Sequence, residues 1–322
     1  MKFLHAVVLF GAAVPCLLAA PAHAQLPAKP IRLVVSVGAG SAPDVIARRL
    51  ADKLAPQIGQ PVMVENRPGV SGILAADHVA KSQPDGSALA LAMGSTLAIA
   101  PHVYRRLPYD TMKDLTPVVQ LGSTPFVLLV NAADPAQNLA QFIARAKASP
   151  GSFSFSSFGN GTAAHLIGEE LKRVAGIQML HVPYKTSAIP DLMGGRINAS
   201  VTDLGSARPF LGGKIRALAV TGPHRYAAYP DIPTFGELGF PSFAAMVGWV
   251  GLFAPSGTPG PVVERLAKDI GAVALGDDMR NTMALLGYEP TGQATQAFAQ
   301  TVRRDHGRWG QLVQDIGGIT LD

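Results

Sequence analysis

Two stretches of this chain place glycines and hydroxyls where an apolar run hands over to a helical one. The first is Gly38-Ala39-Gly40-Ser41-Ala42-Pro43-Asp44. Ser41 fits an N-cap there, Pro43 a first-turn residue and Asp44 the acidic member of a capping box. The second is Phe158-Gly159-Asn160-Gly161-Thr162, with Thr162 or Asn160 as the cap and His165 one turn further on. Such turns leave backbone N–H groups unpaired at the positive end of a helix dipole, which suits an anion. Most of them hold nothing, but two in one chain, one per half, weigh more than either alone. Ser95 and Thr96 add hydroxyls after a third apolar run, and Asp203 adds a carboxylate after a fourth.

Nucleophilic and metal chemistry finds little support. His165 is followed by Glu169 and Glu170 but lacks the second histidine of a zinc-protease helix. Gly69-Val70-Ser71-Gly72 is one residue short of a nucleophile elbow. Leu211-Gly212-Gly213-Lys214-Ile215 lacks the glycine spacing and the hydroxyl of a phosphate loop. His165, His181 and Asp203 could form a relay with a serine, yet no motif ties them together, and hydrogen-bonded residues at element ends are the favoured reading. The inventory is that of a binding site, with no cofactor and no metal expected.

The elements that position these residues alternate. Ile31-Arg32-Leu33-Val34-Val35 reads as a buried strand, and Val45, Ile46, Leu50, Leu54 and Ile58 follow at helical spacing. A strand from Gln60 to Asn66, a helix from Gly72 to Lys81 and a strand from Leu89 to Met93 complete a βαβαβ series. That alternation predicts a mostly parallel sheet with ligands at the strands' carboxyl ends. Leu107 to Pro117 reads as a polar connection, and Val118 to Val130 as one long extended segment interrupted by Pro125. A second series runs from Phe153 to Val220. Trp249 to Ala254 reads as a return crossing, and helical periodicity covers 262–273, 277–286 and 294–316. The expected division is a discontinuous first domain, 25–124 with 249–322, and a second domain, 125–248.

Residues 1–24 combine Lys2, an apolar run from Phe3 to Ala20 and the small-residue site Ala22-His23-Ala24, the pattern of a cleaved secretory signal. The mature chain would begin at Gln25 in the periplasm. It would lack the single cysteine, Cys16, so no disulfide is expected. Removing Lys2 takes the formal charge from +5 to +4. A mild excess without Lys/Arg clusters does not point to nucleic acid. After Ala24 no apolar run approaches the roughly 20 residues of a membrane span.

A set of blocks resembles a known family. Lys29 to Val35, Gly59-Gln60-Pro61-Val62, Glu65-Asn66-Arg67-Pro68-Gly69, Pro84-Asp85-Gly86 and Leu107-Pro108-Tyr109-Asp110 come first. Gly159-x-Gly161-Thr162 with His165-Leu166, His181-Val182-Pro183-Tyr184-Lys185, Arg216 to Val220, Pro230 to Thr234 and Ala254-Pro255-x-Gly257-Thr258-Pro259 follow in order. The chain resembles the Bug family, the solute-binding receptors of tripartite tricarboxylate transporters. The resemblance implies a type II periplasmic-binding-protein fold: two α/β domains, a two-strand hinge and a ligand cleft between them. It implies a monomeric receptor for a di-/tricarboxylate or other small carboxylate, whose partner is a pair of membrane transporter subunits or a sensor kinase. Carried over residue by residue, the ligand would face Gly38, Ala39, Gly40 and Ser41, then Ser95 and Thr96, then Gly159, Asn160, Gly161, Thr162, His165 and Asp203. The chain departs from the family at the first loop, where Pro-Pro-Gly-Gly is usual, and is shorter after Lys185 and after Asp203. A periplasmic enzyme using Asp203 or His165 as general base is the rival reading.

Overall fold

The computed structural model describes residues 26–184 and 186–322. The signal segment, Cys16, the Gln25 start and Lys185 lie outside them.

The β-branched run at the start forms β1 (Ile31–Val35), which pairs in parallel with β2 (Val62–Asn66) and β3 (Ala88–Met93). Between them run α1 (Ala42–Ile58) and α2 (Ile73–Ala80). The alternation along β1 sends Leu33 and Val35 to one core and Val34 to another. Ile46, Leu50 and Leu54 of α1 are fully buried in the first of these. Gly59, at φ 72°, ends the helix in the left-handed conformation with its N–H on the Ala55 carbonyl.

A single π turn, Ser95–Ile99, leads from β3 into α3 (Ala100–Val103). The segment read as a polar connection instead contains α4 (Thr111–Asp114), capped by the Asp110 carboxylate. It also yields the first residues of β4 (Leu115–Asn131), a strand of 17 residues. Pro125 is tolerated inside β4 because the strand changes partners there. From Leu115 to Pro125 it lies antiparallel to β9 (Val247–Pro255), and β10 (Glu289–Ala294) pairs on its other side. From Phe126 onward it pairs with β7 (Ala199–Asp203) and β8 (Ile215–Val220). The second strand group is completed by β5 (Phe153–Ser157), parallel to β6 (Met179–Pro183) and to β7.

The parallel character expected from the alternation holds within each group. Around β4 the pairing is antiparallel, and β9 also joins β3 antiparallel. The second group carries α5 (Leu139–Ala148), α6 (Ala163–Ala175), α7 (Ile189–Met193) and α8 (Leu204–Ala207). The chain ends with α9 (Gly260–Ala274), α10 (Asp277–Leu285) and α11 (Thr295–Asp315). α9 packs with α1 over β1 and β3, while Phe298, Val302 and Trp309 of α11 share a core with Phe155 and Leu166 of the second group. The final residues then fold back. Leu321 donates its N–H to the Val103 carbonyl and accepts from Arg105 N–H.

Candidate functional site

The two glycine turns stand at the carboxyl ends of β1 and β5, each opening a helix. In the first, Ser41 occupies the N-cap of α1, but its hydroxyl donates back to the Gly38 carbonyl at 2.7 Å and caps nothing. The expected capping box is therefore absent. Asp44, 2% exposed, reaches past Ser41 and accepts the Gly40 N–H at 2.8 Å. It also accepts from Arg48 Nε at 3.0 Å and Asn66 Nδ2 at 2.7 Å. Burial opposes its ionisation, yet the bonds from Arg48, Gly40 and Asn66 hold the carboxyl below the usual range. The Gly38, Ala39 and Ala42 N–H groups have no protein partner among the described residues.

The second turn uses the same plan with a different side chain. Thr162 is the N-cap of α6 and accepts the His165 N–H at 3.3 Å, while its hydroxyl donates to the Gly159 carbonyl at 2.8 Å. His165 occupies the position that Asp44 holds in the first turn, three residues after the cap. Its Nδ1 accepts the N–H of Gly161, the residue before the cap, at 3.2 Å. Gly40 and Gly161 both need positive φ, 82° and 71°. The Asn160, Ala163 and Ala164 N–H groups have no protein partner among the described residues.

The other candidates lie at the carboxyl ends of β3 and β7. Thr96 is fully buried and gives its hydroxyl to the Ser71 carbonyl at 2.8 Å, while Ser95, in the same turn, is half-buried. Asp203 caps α8, with both carboxylate oxygens on Ser206, one from N–H and one from the hydroxyl, each at 2.8 Å. It bonds neither histidine, so the relay weighed from the sequence is not assembled. His165 and His181 do come together: their rings stack with centroids 3.8 Å apart and planes 14° apart. Burial, with the neighbouring His165 and Lys172, pushes His181 down to about 3, and burial lowers His165 as well.

The structure thus joins Gly159, Asn160, Gly161, Thr162 and His165 in one loop. Through Val103, that loop meets the helix that follows Ser95 and Thr96. An ideal Cβ on Gly161 would lie 2.9 Å from Leu321 Cδ1 and 3.0 Å from Val103 Cγ2. Gly38 to Ser41 bonds to its own helix and, through Asp44, to Asn66 of β2. Two residues, Ser157 and Thr202, escaped the sequence reading as site residues. Ser157 Oγ lies 2.7 Å from His181 Nε2 and 3.1 Å from Gly159 N. Ser157, Phe158 and Thr202 line a small cavity of about 10 Å³, room for roughly one water, between the ends of β5 and β7. Phe158 is 41% exposed at the head of the loop. The only sequence signal for these was a polar step at the end of an apolar strand.

The model of the tripartite tricarboxylate transporter family receptors matches residues 46–318. The UPF0065 protein in the tcbD-tcbE intergenic region of Pseudomonas sp. strain P51 is 37% identical over 291 residues, 89% of this chain and 86% of its own. Protein BugT of Bordetella pertussis is 34% identical, covering 93% of each chain. Among solved structures, R. palustris Rpa4515 with adipate has a TM-score of 0.82 at 31% identity, covering 92% of this chain and 100% of its own. MatC from Rhodopseudomonas palustris with bound malate has a TM-score of 0.77 at 30% identity, covering 89% and 99%. The periplasmic binding protein BugD has a TM-score of 0.79 at 29% identity, covering 92% of this chain and 100% of its own, so the fold is that of the α/β periplasmic solute-binding proteins.

Proposed function

The chain belongs to the family of tripartite tricarboxylate transporter receptors, and on that premise we propose that it is a periplasmic receptor that captures a small di- or tricarboxylate between two closing α/β domains. The observation that carries this is the pair of equivalent strand–glycine–helix turns, one in each strand group, each with N–H groups open to an anion. The proposed domains are 25–124 with 249–322, and 125–248. Their support is the partner change of β4 between Pro125 and Phe126 and the return of the chain at Val247.

In this reading the ligand is held by the open N–H groups of Gly38, Ala39 and Asn160, the Ser95 hydroxyl and the start of α6, while the Ser41 hydroxyl is engaged by the Gly38 carbonyl. Thr96, His165 and Asp203 act from behind, because their polar atoms are engaged within the protein. That engagement also favours a receptor over an enzyme with Asp203 or His165 as base. The signal-like N-terminus supports export. The differential affinity of the closed form is what a membrane partner, a transporter pair or a sensor kinase, would read. Adipate and malate in the Rhodopseudomonas structures make dicarboxylates the first class to try.

Mass spectrometry of protein purified natively from periplasm tests the reading. An organic acid released on denaturation, and recovered unchanged after prolonged incubation with the protein, is the expected result. A product formed from that acid would favour the enzyme.

A further inference from the structure

The β5–α6 loop is fastened at two glycines by one stacked imidazole pair. Gly161 donates its N–H to His165 Nδ1, and Gly159 donates its N–H to Ser157 Oγ, whose hydroxyl in turn donates to the Gly159 carbonyl at 3.0 Å, leaving His181 Nε2, 2.7 Å away, as a donor to Ser157 Oγ. The Gly161 bond requires a lone pair on Nδ1, so His165 is a neutral ring whose proton sits on Nε2, 3.7 Å from Glu169 Oε1. An imidazolium there would set Nδ1–H against the Gly161 N–H, two donors facing each other. It would also put charge against the second ring at 3.8 Å. The first loop has the same fastening made by the Asp44 carboxylate, which does not titrate in mild acid.

We propose that His165, stacked on His181, is a positioning residue that holds the second ligand loop in its donor-presenting shape only while its own ring is neutral, so that acid releases this loop and not the first. The inference rests on the receptor reading for its effect on ligand, but the loop lock can be measured without any ligand. The charged groups around the pair are Glu169 and Lys172 of α6, themselves paired at 2.7 Å. From β5 the pair meets Phe155 and Ser157, and the C-terminal tail and α3 bring Leu321 and Val103 to Gly161. Asp315 of α11 acts on Arg173, which is bound to Glu170. Glu169 is thus the one acid within reach of His165 among the described residues.

Amide exchange by NMR on the ligand-free mature chain tests the lock. Protection of Gly161, corrected for intrinsic exchange, should fall roughly fivefold to tenfold between about pH 7.5 and pH 4, the factor that one net hydrogen bond sets. Gly40 should not change. His165→Asn keeps an acceptor at the Nδ1 position and cannot titrate, so it should retain protection and lose the pH dependence. His165→Leu should lose protection at every pH. The ¹⁵N shifts of the His165 ring should report an unprotonated Nδ1 at neutral pH, a readout that needs no variant. A flat Gly161 profile, or a protonated Nδ1 in the neutral ring, would overturn the proposal. Titration with malate separates the two ideas. No malate binding with the predicted Gly161 profile counts against malate as ligand and leaves the lock standing. Malate binding equal in wild type and His165→Leu, across the same pH range, overturns the lock and leaves the receptor.

Discussion

Thr162 and Gly161 show how one loop residue can serve the fold and its neighbour the site. Thr162→Ala removes the acceptor of the His165 N–H and the donor to Gly159, and should destabilise by about 1 kcal/mol, the usual cost of a lost cap. Its effect on carboxylate affinity should exceed tenfold, about 1.4 kcal/mol, if the start of α6 holds the anion. Comparing thermal melts with binding isotherms of the variant checks both. Gly161→Val should cost about 2–4 kcal/mol, since positive φ is strained for a β-branched residue and its Cβ would crowd Leu321 and Val103. The obstruction is this packed apolar pair rather than a ligand, so Leu321→Ala in the same chain should recover part of the loss, as denaturant unfolding would show. The histidine pair adds a pH term. Both rings have depressed values in the folded state, so their stabilisation is fully present above the unfolded value of 6.5 and is lost as pH falls toward about 3. Because His181 is half-buried, the loss is discounted to on the order of 1–2 kcal/mol. His181→Phe should flatten the stability profile between about pH 6.5 and pH 4 in chemical denaturation.

At the scale of elements, β4 and β9 carry the architecture. Trp249 of β9 donates its indole N–H to Asp305 of α11 at 2.9 Å, and its ring lies against Gly94, where a Cβ would meet it at 3.1 Å. Burial raises the Asp305 carboxyl, and Arg308 and the indole oppose that rise. Trp249→Phe leaves the buried carboxylate short of a donor and should cost about 2–3 kcal/mol, measured as a lowered midpoint in urea with unchanged slope. The long extended run through Thr124 and the return near Trp249 were legible because their apolar residues outlast any ordinary strand. So were the βα alternation and the two glycine turns. β10 was not, because Pro290 and Gly292 interrupt it and its register slips against β4. The capping box at Ser41 and Asp44 was a false reading of a correct pattern. The acid does turn back toward the chain, but one residue further, because Ser41 bonds to Gly38. The His165–His181 stack lay beyond sequence reasoning. Its partners come from a helix and an edge strand whose distance depends on the whole second strand group.

At the scale of the molecule, a ligand gripped by both groups must favour the closed arrangement by its differential affinity. Ligand at a hundredfold excess over Kd would stabilise the native state by about 2.7 kcal/mol, visible as a raised Tm. Export should leave a mature chain starting at Gln25, which N-terminal sequencing of periplasmic material would show. The claim on which everything else depends is that the two turns together hold a carboxylate. Isothermal calorimetry of the mature protein against malate, adipate and a tricarboxylate, each paired with its neutral amide, addresses it directly. The account predicts saturable one-to-one binding of at least one acid, loss of that binding in the amide, and a loss exceeding tenfold in Thr162→Ala, the 1.4 kcal/mol derived above. Binding of acid and amide alike, or unchanged affinity in Thr162→Ala, would contradict it.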